Sequence, residues 1–197
     1  MFFHKRFLAT LLAGIALVST SAADDTPLPY RLVVLAAYGE PLGPESLRDE
    51  LERELAERLE LDHCFESVVR SGADGATEAD LIVEVILDRY REDTHHDVTI
   101  ATQKRPGEPG SDLQWSAGIE TVVHLQVRRV ADRAVVKIKR KHASVTRHAQ
   151  PAEDTRFEAR AKLLEGIVLD VRSYLCKVSP QKWEKQIRQA RLPDGSD

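Results

Sequence analysis

The amino-acid sequence predicts an α+β fold, with one antiparallel-rich mixed sheet, two long helices packed on one face of it and a short C-terminal helix. Two segments, Glu45–Leu61 and Asp154–Cys176, repeat apolar residues at a helical period. In the second segment the predicted apolar stripe consists of Phe157, Ala161, Leu164, Val168, Val171 and Leu175. The segments Ile119–Val130 and Ala134–Val145 alternate apolar and polar residues on either side of a short polar turn, as a β-hairpin does. Packing both helices on one face buries both apolar stripes against a single sheet.

Composition excludes several protein classes. The chain has 197 residues, of which 42% are hydrophobic and 30% are charged, so it is neither disordered nor collagen-like. Two cysteines exclude a disulfide-dense miniprotein and a four-cysteine zinc site. The sequence contains no phosphate-binding loop, no dinucleotide-binding glycine motif and no nucleophile-elbow motif. We therefore expect a protein that is not an enzyme and needs no cofactor.

Residues 1–23 have the pattern of a secretory signal peptide. Lys5 and Arg6 precede the uncharged run Phe7–Val18, and small residues follow, so cleavage is expected near Ala22/Ala23. An uncleaved membrane anchor is the alternative, but anchors usually need about 17 or more apolar residues. The whole sequence lacks asparagine, which is typical of a GC-rich bacterial genome. We therefore predict export to the periplasm.

The expected mature chain is acidic. The full sequence carries a net charge of −4, and loss of Lys5 and Arg6 makes the remainder more negative. A net acidic domain argues against nucleic-acid binding. After the signal no apolar run is long enough to span a membrane, so no transmembrane segment is expected in the mature chain. We assign residues 24–178 to an α/β sandwich domain and 179–197 to an amphipathic helix and tail.

The first half of the mature chain predicts a strand, a helix and more strands. Tyr30–Tyr38 is an apolar run that suits a strand buried on both faces. Pro44 suits the first turn of the helix over Glu45–Leu61. The leucines of this helix recur every four residues, at Leu47, Leu51, Leu55 and Leu59. Further strands are predicted at Cys64–Arg70 and Ala79–Arg91.

The second half predicts a fourth strand, a long loop, the two strands of the hairpin and two helices. Asp97–Thr102 is a candidate hairpin partner for the preceding strand, and 104–118 is rich in proline and glycine, as a loop is. Trp115 in this loop and Trp183 in the last helix either anchor a partner or pack on their own domain. On the return strand of the hairpin the lysines alternate with Val136 and Ile138.

Three groups of residues are candidate sites. Cys64 follows the first long helix and Cys176 ends the second, and an exported pair of cysteines usually forms a disulfide. Separate free thiols and a reactive thiol are the alternatives. His95, His96 and Asp97 offer imidazole and carboxylate ligands for zinc or copper, but neighbouring strand residues point to opposite faces, so only a turn would bring both histidines to one ion.

The third group is the basic hairpin, with Arg128, Lys137, Lys139 and Lys141. Such a cationic stretch in an acidic protein favours binding of a phosphate-bearing partner or an acidic protein surface. The alternative is a strand face whose lysines prevent edge-to-edge aggregation.

The order of elements resembles that of small bacterial envelope-assembly domains, which include the lipopolysaccharide-assembly lipoprotein LptE and the N-terminal domain of TolB. The resemblance rests on the strand Tyr30–Tyr38, the helix 44–61, the apolar segment 79–83 and the hairpin 119–145. Lipoprotein families carry a lipid-bearing cysteine after the signal, where this sequence has Ala22, Ala23 and Asp24.

Together these observations predict a periplasmic, non-enzymatic protein that binds a partner in the cell envelope as an accessory or assembly factor. The expected partner is an envelope protein or an anionic component such as lipopolysaccharide. The alternative function is small-ligand or metal binding through His95, His96 and Asp97.

Overall fold

The computed structural model describes residues 27–40, 43–73, 78–98, 113–149 and 152–190, so the predicted signal peptide lies outside the described residues. The elements in chain order are β1 (Leu28–Tyr38), α1 (Glu45–Leu61), β2 (Phe65–Arg70), β3 (Leu81–Val98), β4 (Leu113–Arg129), β5 (Val135–Ala149), α2 (Ala152–Cys176) and α3 (Pro180–Arg188). The strands form one sheet in the order β2-β1-β3-β4-β5. β1 pairs in parallel with β2 and β3, whereas β3, β4 and β5 are antiparallel. The predicted α+β fold class is confirmed.

The described sheet has five strands, and Asp97 and Val98, which the sequence assigned to a separate hairpin partner, are the last two residues of β3. The rest of that predicted strand, 99–102, lies outside the described residues. β3 continues to Val98, and β4 begins at Leu113, within the predicted loop. The antiparallel pairing runs from Leu81 and Arg129 at one end to Val98 and Leu113 at the other. Beyond Arg91 strand β3 carries mostly polar residues, so the apolar alternation that reveals a half-buried strand is missing there.

The core lies on one face of the sheet, beneath α1 and α2. In β3 every second residue from Leu81 to Leu87 is fully buried, as strand geometry requires when one face is covered. α1 contacts β1 and β2, while α2 contacts β4 and β5. The four leucines predicted to form the buried stripe of α1 are all buried: Leu47, Leu51, Leu55 and Leu59.

The buried face of α2 differs slightly from the predicted one. Phe157, which we predicted in the apolar stripe, is 69% exposed, whereas the neighbouring Thr155 and Ala159 are buried. From Leu163 to Leu175 the helix follows the expected period. The buried positions of this part are Leu163, Leu164, Ile167, Val168, Val171 and Leu175.

α3 closes one end of the core through Trp183. This side chain is completely buried and lies edge-on against Phe65 of β2, with ring centroids 5.8 Å apart. Its Nε1 donates a hydrogen bond to the Leu175 carbonyl at 3.0 Å, which satisfies the polar atom of a buried tryptophan. Trp183 therefore packs on its own domain and does not anchor a partner. The side chain of the second candidate, Trp115, lies outside the described part of the structure.

The predicted disulfide between Cys64 and Cys176 is confirmed, with a Cα–Cα distance of 5.4 Å. It joins the segment after α1 to the last residue of α2. Arg172 of α2 also forms an ion pair with Asp62 at the end of α1. A covalent bond and an ion pair thus hold the ends of the two covering helices together.

We predict that the double variant Cys64→Ala/Cys176→Ala has a free energy of unfolding lower by about 2–5 kcal/mol, because the bond closes a long loop in the unfolded chain. Urea denaturation measures this difference. Dithiothreitol should lower the midpoint of the oxidised wild type and leave the double variant unchanged. A wild-type midpoint that does not respond to the reductant contradicts the prediction.

Candidate binding surface around the β4–β5 hairpin and helix α2

The register of the β4–β5 hairpin determines where its basic side chains lie. Lys137 pairs with Val127, Lys139 with Leu125 and Lys141 with Val123. The three β4 partners are buried in the core beneath the helices. Directly paired residues share a face of the sheet, so the three lysines lie on the face that α2 covers.

Lys137 is a buried part of the fold, with 7% of its surface exposed. Its Nζ donates a hydrogen bond to the Tyr174 carbonyl at 2.9 Å. The same atom lies 4.1 Å from the ring centroid of Tyr174 and 4.5 Å from that of Trp183, which is cation–π geometry. Burial, with added repulsion from Lys182 and Lys139, lowers the pKa of Lys137 to about 8. This lysine is not accessible to a partner.

The other two lysines lie nearer to solvent. Lys139 Nζ is 5.1 Å from the ring centroid of Tyr174, and Lys141 forms an ion pair with Asp170 of α2. Arg128 lies on the opposite face, where its Nη2 is 3.3 Å from Glu84 Oε2. The four basic residues singled out in the sequence therefore do not form one continuous surface. Whether any of them binds a partner stays a prediction.

A groove of about 280 Å³ lies between β5 and α2. Val123 and Val145 on the sheet side and Leu163 and Ile167 on the helix side give it aliphatic walls. The charged residues that line it are Lys139, Lys141, Lys162 and Asp170. The sequence did not predict this groove, because its two sides come from segments whose relative placement depends on the packing of α2.

Gly166 contributes room to the groove. An added Cβ at this position would meet no atom within 4 Å, and the residue lies at the groove lining. An apolar concavity with a few charged groups at its margin is the usual form of a ligand or peptide site.

The opposite face of the sheet has no helix over it among the described elements. Two contacts there join side chains of neighbouring strands. Glu84 pairs with Arg128, and Asp88 Oδ2 lies 3.5 Å from His124 Nε2. Ile138 on this face is 61% exposed. This face therefore combines an exposed aliphatic side chain with polar side chains, of which Glu84 and Arg128 form an ion pair.

The metal-binding alternative lacks the turn on which it depends. His95, His96 and Asp97 are successive residues of β3, paired with Ser116, Trp115 and Gln114. The turn that would bring both histidines to one ion is therefore not formed within this strand, and metal binding by these residues stays a prediction. Within the described ranges, one group of metal-ligand atoms lies close together, formed by Asp62 with Cys64 and Cys176, and its sulfurs form the disulfide.

We predict that Lys137→Met removes a pH dependence from the stability of the protein. The folded-state pKa of about 8 lies below the ordinary lysine value of 10.5, so the unfolded chain binds more protons between these two values. The wild-type free energy of unfolding should therefore rise relative to that of the variant as the pH increases from about 8 to 10. Methionine keeps an unbranched apolar stem against the rings of Tyr174 and Trp183.

Urea denaturation at pH 7, 8, 9 and 10 measures the difference. Lys185→Met, which changes an exposed lysine of α3, is the matched control and should keep the wild-type pH dependence. If the free energies of unfolding of wild type and Lys137→Met change in parallel with pH, the prediction is wrong. The two aromatic rings then offset the free-energy cost of burying the charge.

No protein-family model and no curated protein matches the sequence. Across the described ranges, no helix combines the length and the apolar character needed to cross a membrane.

Several solved bacterial structures are similar to this chain. Protein XCC0632 from Xanthomonas campestris, described as a DUF330 family protein, has a TM-score of 0.51 and 12% identity, over 83% of this chain and 91% of that one. A neuraminyllactose-binding hemagglutinin homologue from Helicobacter pylori has a TM-score of 0.48 and 16% identity, over 84% and 91%. A minor lipoprotein from Acinetobacter baumannii has a TM-score of 0.41 and 10% identity, over 85% and 99%.

The likeness to the Xanthomonas protein shows that the two proteins share a fold. At 12% identity it does not show that they share an activity. The similar structures also include bacterial proteins described as lipoproteins. The narrower resemblance to LptE and TolB stays a prediction. This chain therefore shares its fold with the Xanthomonas protein.

Proposed function

We propose that this protein is exported to the periplasm and acts there without catalysis, by binding another component of the cell envelope as an accessory or assembly factor. The component is an envelope protein or an anionic molecule such as lipopolysaccharide. The observation that carries the proposal is the groove between β5 and α2, which combines aliphatic walls with Lys139, Lys141 and Lys162 at its margin.

Export is supported by two independent features. Residues 1–23 have the charge and apolar pattern of a signal peptide. The Cys64–Cys176 disulfide is of a kind that persists in oxidising compartments and is rare in the bacterial cytosol. The neighbours described as lipoproteins make an envelope location the natural expectation for this fold.

Binding is favoured over catalysis by the chemistry of the groove. Its walls are mostly aliphatic, and its charged groups are three lysines and Asp170. Lys141 is paired with Asp170, and Lys162 with Glu165. These ion pairs hold the two ammonium groups in position and balance their charges. Such a lining suits recognition of an apolar group with an anionic neighbour.

In-cell cross-linking tests this proposal. The tagged protein is cross-linked in the native envelope as wild type and as Lys139→Glu/Lys141→Glu, with Lys137 left unchanged because reversal of a buried charge would unfold the core. We expect a defined component to co-purify with wild type and to be lost from the double variant. Circular dichroism confirms that the variant is folded.

The matched control is Lys177→Glu/Lys185→Glu, which reverses two exposed lysines away from the groove and should retain the component. If the component stays bound to the groove variant, the groove is not the binding surface. If wild type captures no envelope component, the proposed function is wrong.

A further inference from the structure

β5 is an edge strand of the sheet, and its register shows which of its backbone groups face outward. Val130, just after β4, donates its N–H to the carbonyl of Asp80, just before β3. Along an antiparallel strand the backbone groups of successive residues point alternately to one neighbour and to the other. The even-numbered residues of β4 therefore bond to β3, and the odd-numbered residues bond to β5. Leu125 and Val123 therefore bond to their partners Lys139 and Lys141. The intervening residues of β5 direct their N–H and C=O groups away from β4.

A hydrogen bond from α2 agrees with this assignment. Tyr174 Oη donates to the Ile138 carbonyl at 3.0 Å, and Ile138 is the first of the outward residues. From there the outward positions along the edge are Arg140, His142, Ser144 and Thr146. No further strand pairs with β5 among the described elements. A row of outward backbone donors and acceptors is a template for an added strand.

The charges of β5 restrict what can add to it. From Val135 to Ala149 the strand carries five lysine and arginine residues and no acidic residue. A second copy pairing antiparallel through the same edge would place cations against cations, which is unfavourable for directly opposed residues. On the uncovered face an acidic side chain of an added strand would meet Arg140, whereas Lys139 and Lys141 lie on the α2 side, at the groove. Charge complementarity thus favours an acidic partner over self-association.

The groove supplies the apolar half of the recognition. It lies on the α2 side of β5, between Val145 and Ala143 of the strand and Leu163 and Ile167 of the helix. On an added strand every second side chain points to the α2 side, where the groove and the open space above Gly166 are. The groove therefore selects apolar residues at alternate positions of the incoming segment.

We propose that an extended segment of an envelope protein, with acidic residues and alternating apolar residues, adds as a sixth strand along the outer edge of β5 and places an apolar side chain in the groove beside α2. This inference rests on the proposed function and names the chemistry of the partner at the same site. The four outward positions from Arg140 to Thr146 suit a segment of about seven residues.

The probe is a seven-residue peptide, blocked at both ends, that alternates aspartate or glutamate with valine or isoleucine. A peptide with lysine in place of each acidic residue is the control ligand. Titration followed by amide NMR should show binding of the acidic peptide alone. Slowed hydrogen exchange should appear at the outward β5 amides of Arg140, His142 and Ser144.

Two variants test the edge and the groove separately. Ser144→Pro removes an outward N–H without breaking the ladder to β4, because proline is tolerated where the N–H faces out from an edge strand. Gly166→Leu fills the groove. Each should weaken peptide binding by at least about tenfold. Ser144→Ala and Ala161→Leu, the latter at an exposed position of α2, are the matched controls and should bind like wild type.

The outcomes separate this inference from the proposed function. If the peptide does not bind, or binds equally to Ser144→Pro, strand addition is wrong even where the groove lysines still capture an envelope component. If vesicles containing lipopolysaccharide bind wild type and Ser144→Pro alike but not Lys139→Glu/Lys141→Glu, the occupant is an anionic lipid and strand addition is overturned. A concentration-dependent dimer abolished by Ser144→Pro would assign the edge to a second copy of the chain.

Discussion

The face of the sheet that α1 and α2 cover determines where every charged side chain of the β4–β5 hairpin lies. α2 packs over β4 and β5, so residues paired with the buried Val123, Leu125 and Val127 must lie on the helix side. Those residues are lysines. Lysines can occupy these positions because β5 is the edge strand. There the aliphatic part of a long side chain packs on the apolar surface, and its ammonium group reaches a polar partner or water.

Each lysine is accommodated differently according to its depth. Lys137, nearest the closed end of the core, lies between the rings of Tyr174 and Trp183 and donates to a backbone carbonyl. Lys141 lies farther along the strand and pairs with Asp170. The disulfide and the packing of α3 hold the end of α2 that supplies Tyr174, while the groove lies farther along the same helix.

The sequence predicted the elements that carry a strong period and the pair of cysteines, and it did not predict the sides on which the basic residues lie. α1 was predicted with its observed bounds, because its leucines repeat every four residues. In β5, Lys137, Lys139 and Lys141 alternate with Val136 and Ile138, and alternation alone does not say which set faces the helices. A register shift between Val127 and Arg128 changes the phase of the pairing, which leaves Ile138 exposed and Lys137 buried. Such an irregularity has no signature in the local sequence.

The uncovered face of the sheet and the outer edge of β5 differ in the interactions that they can still offer to a partner. On the uncovered sheet face Glu84 pairs with Arg128, so a partner at that position would replace an ion pair that already exists. Along β5 the outward N–H and C=O groups have no strand beside them among the described elements, and backbone groups keep their full hydrogen-bonding capacity for an extended partner. The adjoining groove offers apolar burial at every second position of such a partner. The β5 edge therefore gains both hydrogen bonds and apolar contact on binding, whereas the open face gains mainly contact, and this difference places recognition at the edge.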